Sequence, residues 1–413
     1  MIFYLLYIDP GTGSALFSIL IGAAATLYFL GRALLIKLKV FISGGKIKES
    51  SVLNPYVIYN EGKQYCDVFN PVLDEFESRE INVLYLTSAK DDPVFIKPYK
   101  HIKAEYIGEG NKAFSRLNIL NANVLLMTTP GLDVYQLRRS KGVKHYSHVL
   151  HSPSDATTYR LFGIDYYDSI LLTGDYQAVD IRILEKQRGI NEKQLVTVGC
   201  TYLDVFAGKI RQIPKEENHQ FTVLVSPSWG PSAILSRFGE KLLDPLIKTG
   251  MRIIVRPHPQ SKKSEAPVLD SLERKYEDIS NLEWDYAREN INSLSKSDIM
   301  ISDFSGIIYD YIFLFDRPVI YVNQGFDMRP YDADDLGEDA AEKIWQFRIL
   351  KEIGIELKEE DFNIIGEIIK NASNSEEMRQ ARERAKNTAW QYRGEAGKRI
   401  VDFITGLFKQ EQC

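Results

Sequence analysis

The chain has 413 residues, with 51 Lys and Arg against 56 Asp and Glu, for a formal charge of −5. Apolar residues at 44% and charged residues at 26% describe a folded protein with ample core, and at about 150 residues per domain the length predicts two or three domains. The acidic balance excludes the basic footprint of a general nucleic-acid binder, and three scattered cysteines (Cys66, Cys200, Cys413) exclude a disulfide framework or a four-cysteine zinc site.

Between Asp9 and Arg32 the chain carries no charge for 22 residues. At about 1.5 Å per residue this makes roughly 33 Å of helix, near the thickness of a bilayer's hydrocarbon core. A cleaved leader would begin with basic residues and stop after the Ala23–Ala25 run. Here none precedes the span and apolar residues continue to Leu38. Arg32, Lys37, Lys39, Lys46 and Lys48 follow it, so the positive-inside rule predicts a single-pass anchor in the inner (cytoplasmic) membrane with a cytoplasmic body.

Past a linker ending near residue 45, short β-rich runs alternate with amphipathic stretches. Strands are expected at Tyr56–Tyr59, Asn82–Thr87, Glu105–Gly108, Val124–Thr128, Tyr146–Leu150, Ser169–Thr173 and Leu195–Val198, with helices such as Val68–Arg79, Lys112–Leu120 and Tyr176–Arg188 between them. After a polar stretch, Lys209–His219, a second series has strands at Phe221–Val225, Arg252–Arg256, Leu282–Trp284, Ile299–Ser302 and Pro318–Val322. Alternating strands and helices imply parallel sheets in an α/β protein of two Rossmann-like domains facing across a cleft. The division predicted is 1–45 anchor and linker, 46–210 an N-terminal Rossmann-like domain, 211–372 a C-terminal Rossmann-like domain and 373–413 a helical segment. That last segment reads as one long helix, Ser375–Lys409, with a break near Tyr392–Gly397, and the acidic stretch Asp327–Asp339 reads as a solvated excursion or a substrate flap.

Ligands of open α/β sheets bind beyond the carboxyl ends of the strands, so the residues just after strands carry the functional reading. In SDFSGIIYD a strand gives way to a helix at Ser305 and Gly306, whose free N–H groups form an anion site. Asp310, one turn inside, is placed to accept from ribose hydroxyls. The bland alternative is capping of that helix by Asp303 or Ser305. In RPHP, Arg256 offers a phosphate fork and His258 projects from a strand tip between two prolines. In SPSWGP, Ser226 and Ser228 lie in a tight loop suited to a ligand. In KHYSHVLHSPSD the histidines at 145, 148 and 151 invite a metal reading, but on an extended strand His148 points away from the other two, and no carboxylate or thiol completes a site. His151, where the strand meets SPS, is the candidate general base.

Together these motifs resemble the CDP-glycerol glycerophosphotransferase family of teichoic-acid-type polymer synthesis, over roughly residues 140–405. VLHSPSD falls at that family's first histidine motif and places it on His151; IIVRPHP places a second histidine on His258; SDFSGIIYDY carries the donor-phosphate role to Ser305 and Gly306 and implicates Asp310. GIDYYDSILLTGD, VGCTYLDV and RGEAGKRIVDFI extend the likeness. The family's HGTPLK pattern stands here as HSPSDA, and the second serine of its SDYSS pattern is Gly306. The resemblance implies a GT-B arrangement, CDP-glycerol as donor, a lipid-linked acceptor hydroxyl deprotonated by His151, CMP as leaving group, and no resident metal or cofactor. Two alternatives stay open: another GT-B sugar-nucleotide glycosyltransferase or epimerase-like enzyme, and an inactive membrane-tethered scaffold.

Overall fold

Wholly apolar or nearly apolar runs such as Ser169–Leu172, Thr222–Val225 and Ile299–Ser302 are buried at every position, as strands covered by helices on both faces must be. The computed structural model describes residues 53–213, 219–287, 289–322, 329–337 and 343–408. The expected anchor lies outside them, and no helix among the described residues is long and apolar enough to cross a membrane.

The first sheet has β1 (Asn54–Asn60), β2 (Val83–Thr87), β3 (Ile102–Tyr106), β4 (Asn121–Met127), β5 (Gly142–Val149), β6 (Ser169–Leu172) and β7 (Gln194–Thr197), in the order β3-β2-β1-β4-β5-β6-β7. The second has β8 (Thr222–Val225), β9 (Arg252–Val255), β10 (Leu282–Trp284), β11 (Ile299–Ser302), β12 (Val319–Tyr321) and β13 (Gly354–Glu356), in the order β10-β9-β8-β11-β12-β13. Every described pairing in both is parallel. Each sheet reverses its strand order beside its first strand, the doubly wound Rossmann pattern, so two such domains are present as expected. β3 begins three residues earlier than expected, because Lys103 and Glu105 on this edge strand dilute its apolar signal. β13, a three-residue edge strand, and the helices Thr201–Ile210, Trp345–Ile353 and Ile365–Asn374 were not anticipated.

The C-terminal segment divides between the domains. Helix Glu376–Ala389 packs Ala381, Ala385 and Ala389 against Tyr311 and Ile349 of the second domain. Helix Ala396–Gly406 sets Ile400, Val401 and Ile404 against Val68, Phe69 and Phe76 of the first. Glycines accommodate this return: a Cβ on Gly174 would lie 2.1 Å from the Thr388 carbonyl oxygen, and one on Gly397 would lie 2.6 Å from that of Pro71. The linking residues are sewn to the first sheet by Gln391 N–H donating to the Thr173 carbonyl at 3.1 Å.

Candidate functional site between the two domains

The carboxyl ends of both sheets open onto one cleft. Its larger cavity, about 890 Å³, is lined by Gln64, Cys66 and Tyr202 from the first domain and by Ser226, His258 and Gly306 from the second. An adjoining cavity of about 350 Å³ is lined by Tyr65, His151 and Ser154 on one side and by Tyr309 and Asp310 on the other. Gln64, Tyr202 and Gly306 line both, so the two candidate histidines, 107 positions apart in the chain, reach one continuous site.

On the second-domain wall, helix Ile307–Phe315 starts at Gly306 with no side-chain cap. Asp303, the residue expected as an alternative cap, turns elsewhere: its carboxylate, 1% exposed, accepts Ser228 N–H at 2.9 Å and Ile234 N–H at 3.0 Å. Ser305, Gly306 and Ile307 therefore present the positive end of the helix to the cavity. His258 is half-buried there, and its Nδ1 accepts Gln260 N–H at 3.1 Å. Burial holds the imidazole below its ordinary value against the opposing pull of Glu265, so the ring is neutral near pH 7 with its proton on Nε2. Arg256 lines the cavity, with one terminal nitrogen paired with Asp285 and the other donating to the Ala287 carbonyl at 2.7 Å, so part of its fork braces the loop after β10. Ser228 does not line the cavity; its N–H serves Asp303. Ser226 does line it.

On the first-domain wall, His151 Nδ1 lies 3.2 Å from the Tyr159 hydroxyl and the ring meets Tyr65 edge-on at 5.0 Å. Burial lowers its pKa to about 4. Asp310 is placed beside His151 in the smaller cavity. Its Oδ2 accepts from the Tyr202 hydroxyl at 3.1 Å, and burial pushes its carboxyl up to about 7.

The HSPSDA loop is fixed by the other domain. Asp155 Oδ2 accepts Gln346 N–H at 2.7 Å, while Gln346 Oε1 accepts Asp155 N–H at 3.1 Å. Gln346 opens helix Trp345–Ile353, whose own N-cap residue, Ile344, offers no side-chain bond. The pair is thus a reciprocal cap made in trans across the domain boundary. The acidic excursion is solvated only in part: Asp332 is fully buried, accepting Arg188 Nη2 at 2.8 Å and Phe162 N–H at 2.7 Å, and docks the stretch on the first domain, while Asp334 and Asp335 stay exposed. The residues sequence reasoning missed are Tyr65, Tyr159, Tyr202 and Gln346, which sit in no pattern that marks them as site residues.

The family model described as CDP-glycerol:poly(glycerophosphate) glycerophosphotransferase matches residues 177–406, more than half of the chain. The chain belongs to that family. It is a CDP-glycerol glycerophosphotransferase-like enzyme with the α/β fold of its solved counterparts. The wall teichoic acid polymerase TagF aligns over 92% of this chain and 98% of its own, at 16% identity and a TM-score of 0.56. A putative UDP-N-acetylglucosamine 2-epimerase from Listeria monocytogenes aligns over 86% of this chain and 97% of its own, at 13% identity and a TM-score of 0.58. The UDP-GlcNAc 2-epimerase of Methanocaldococcus jannaschii covers 86% and 99% of the two chains at 14% identity and a TM-score of 0.55. No curated protein sequence matches.

Proposed function

We propose that this glycerophosphotransferase moves glycerol phosphate from CDP-glycerol to a hydroxyl of a lipid-linked acceptor in envelope polymer synthesis. The observation that carries the reading is the uncapped start of helix Ile307–Phe315, with His258 on its own wall and His151 across the cleft. In this reading the N–H groups of Ser305, Gly306 and Ile307, the Ser305 hydroxyl and the His258 Nε2–H hold the diphosphate. His151 Nε2 takes the acceptor's hydroxyl proton. The acceptor oxygen then bonds to the β-phosphorus, the bond from that phosphorus to the bridging oxygen breaks, and CMP leaves with the bond's electron pair. Positioning and charge stabilisation supply most of the rate. The uncharged 10–31 segment is proposed to anchor the enzyme in the inner (cytoplasmic) membrane, confining it to the surface where such an acceptor lies.

The epimerases match the fold as well as the polymerase does, so the test carries both donors. Full-length enzyme is incubated with a detergent-solubilised lipid ending in glycerol phosphate, plus CDP-glycerol or UDP-GlcNAc. CMP release is expected, falling at least about 100-fold in His151→Ala, the range of a lost general base. The His258→Ala variant is expected to lose about 10- to 200-fold, the range of a lost charge-assisted hydrogen bond. UDP-GlcNAc turnover without CMP release would favour an epimerase-like enzyme. Full cellular function in both alanine variants would make the chain a scaffold.

A further inference from the structure

We propose that Tyr159 and His148 are positioning residues that fix the tautomer of His151, keeping its proton on Nδ1 so that Nε2 presents a lone pair to the acceptor hydroxyl. The inference rests on the reading of His151 as the base. His148, on β5, places Nε2 3.2 Å from the Tyr159 hydroxyl, and that hydroxyl lies 3.2 Å from His151 Nδ1. One phenol therefore stands between two imidazoles.

The rest is a count of hydrogens. A phenol oxygen can accept twice but owns one proton, and no partner for that proton other than the two imidazoles is described, so satisfying it requires that one imidazole accept from the phenol and the other donate to its oxygen. A neutral imidazole has one N–H. If His148 donated through Nε2, the phenol would donate to His151 Nδ1, and the His151 proton would sit on Nε2, facing the cleft as a donor unable to act as base. If the phenol donates to His148, His151 must donate through Nδ1, and its Nε2 is free to accept. Catalysis by His151 selects the second direction, which sets the His148 proton on its buried Nδ1, an atom with no described partner. The count holds because the groups behind His151 stay neutral: burial lowers the His148 pKa to about 3 and pushes the Tyr159 phenol well above its ordinary value.

The arrangement is also held in place. The His148 ring packs edge-on against Tyr159 at 5.3 Å and 88° and against Tyr167 at 4.8 Å and 64°. The Tyr159 carbonyl accepts Asp332 N–H of the docked acidic stretch at 2.9 Å, so the phenol's backbone is fixed from the second domain. No carboxylate is described in hydrogen-bond contact with His151, so the orienting role usual for a carboxylate falls to this phenol.

The test uses full-length enzyme in detergent, labelled with ¹⁵N at histidine. In wild type, the two-bond ¹⁵N–¹H pattern of His151 is expected to show the Nδ1–H form, and in Tyr159→Phe a shift towards the Nε2–H form. CMP release in Tyr159→Phe is expected to drop about 100-fold in kcat with KM for CDP-glycerol unchanged. The His148→Leu variant should lose a similar factor, and His148→Gln, whose side-chain carbonyl can accept the phenol's proton, should recover to within about tenfold of wild type. CDP affinity by titration confirms that each variant folds. An Nε2–H tautomer of His151 in wild type, or full kcat in Tyr159→Phe or His148→Leu, overturns the inference. These outcomes are separable from failure of the base assignment, which would show as full activity in His151→Ala.

Discussion

The bond between Asp155 and Gln346 ties the loop that carries His151 to the opposite domain, and breaking it should loosen the site before it unfolds the protein. Both residues are buried, at 3% and 8% exposure, so water does not readily replace a lost partner. In Asp155→Ala the Gln346 N–H loses its acceptor. A lost N-cap costs about 0.5–2 kcal/mol and an unpaired buried donor about 1–3. These describe one loss from two sides, so about 2 kcal/mol is expected, or roughly 30-fold in a local opening equilibrium at 1.36 kcal/mol per decade. Amide hydrogen exchange reads this directly: protection at Gln346 should fall about 30-fold in Asp155→Ala. Asn caps helices about as well as Asp, so Asp155→Asn should change protection less than about fivefold. The pH dependence has a defined sign. Burial raises the Asp155 carboxyl to about 7, so between pH 4 and 7 the folded protein holds a proton that the unfolded chain has lost. Its contribution is full below pH 4 and is lost as pH rises through 7, and Asp155→Asn should lack that slope. Unchanged Gln346 protection in Asp155→Ala would show that the reciprocal cap does not hold the domains together.

Two further predictions concern protonation and packing. Histidine ring titration by NMR should find His151 still neutral at pH 5.5, where an unperturbed imidazole would be about nine-tenths protonated; half-protonation near 6.5 would contradict its burial. Among the glycines, Gly174→Ala and Gly397→Ala force a Cβ against carbonyl oxygens at 2.1 and 2.6 Å and should each cost about 1–3 kcal/mol in urea unfolding. Gly208→Ala, inside helix Thr201–Ile210 with nothing within 4 Å of the added atom, should be neutral or stabilising by up to about 1 kcal/mol.

The two sheets were legible because fully buried parallel strands leave apolar runs, and the Gly306 site because a strand, a short turn and a helix follow one another within SDFSGIIYD. What escaped notice depends on partners far along the chain. Arg256 reads as wholly free because Asp285 and Ala287, which take one bond from each terminal nitrogen, lie 29 and 31 positions later. Asp332 reads as solvated because Arg188, its buried partner, lies 144 positions earlier. The histidine pattern failed for a local reason. Strand alternation sets His148 and His151 on opposite faces only while the strand continues, and β5 ends at Val149. The chain turns there, and both rings reach Tyr159.

That turn also explains why the two cleft histidines are not interchangeable in the proposed reaction. His258 Nδ1 faces a backbone N–H, which can only donate, so its neutral ring must carry the proton on Nε2 and can offer the diphosphate a donor but no base. His151 Nδ1 faces a hydroxyl, whose oxygen can accept the Nδ1 proton, so this ring is free to keep a basic Nε2. Burial alone leaves His151 a weak base, with its pKa near 4 in the open cleft. A diphosphate at the start of helix Ile307–Phe315 would bring negative charge into the same space and favour the imidazolium, opposing the desolvation that depresses it. The base would then strengthen when the donor arrives and stay weak in its absence, so proton removal from the acceptor would be timed by occupancy of the opposite wall.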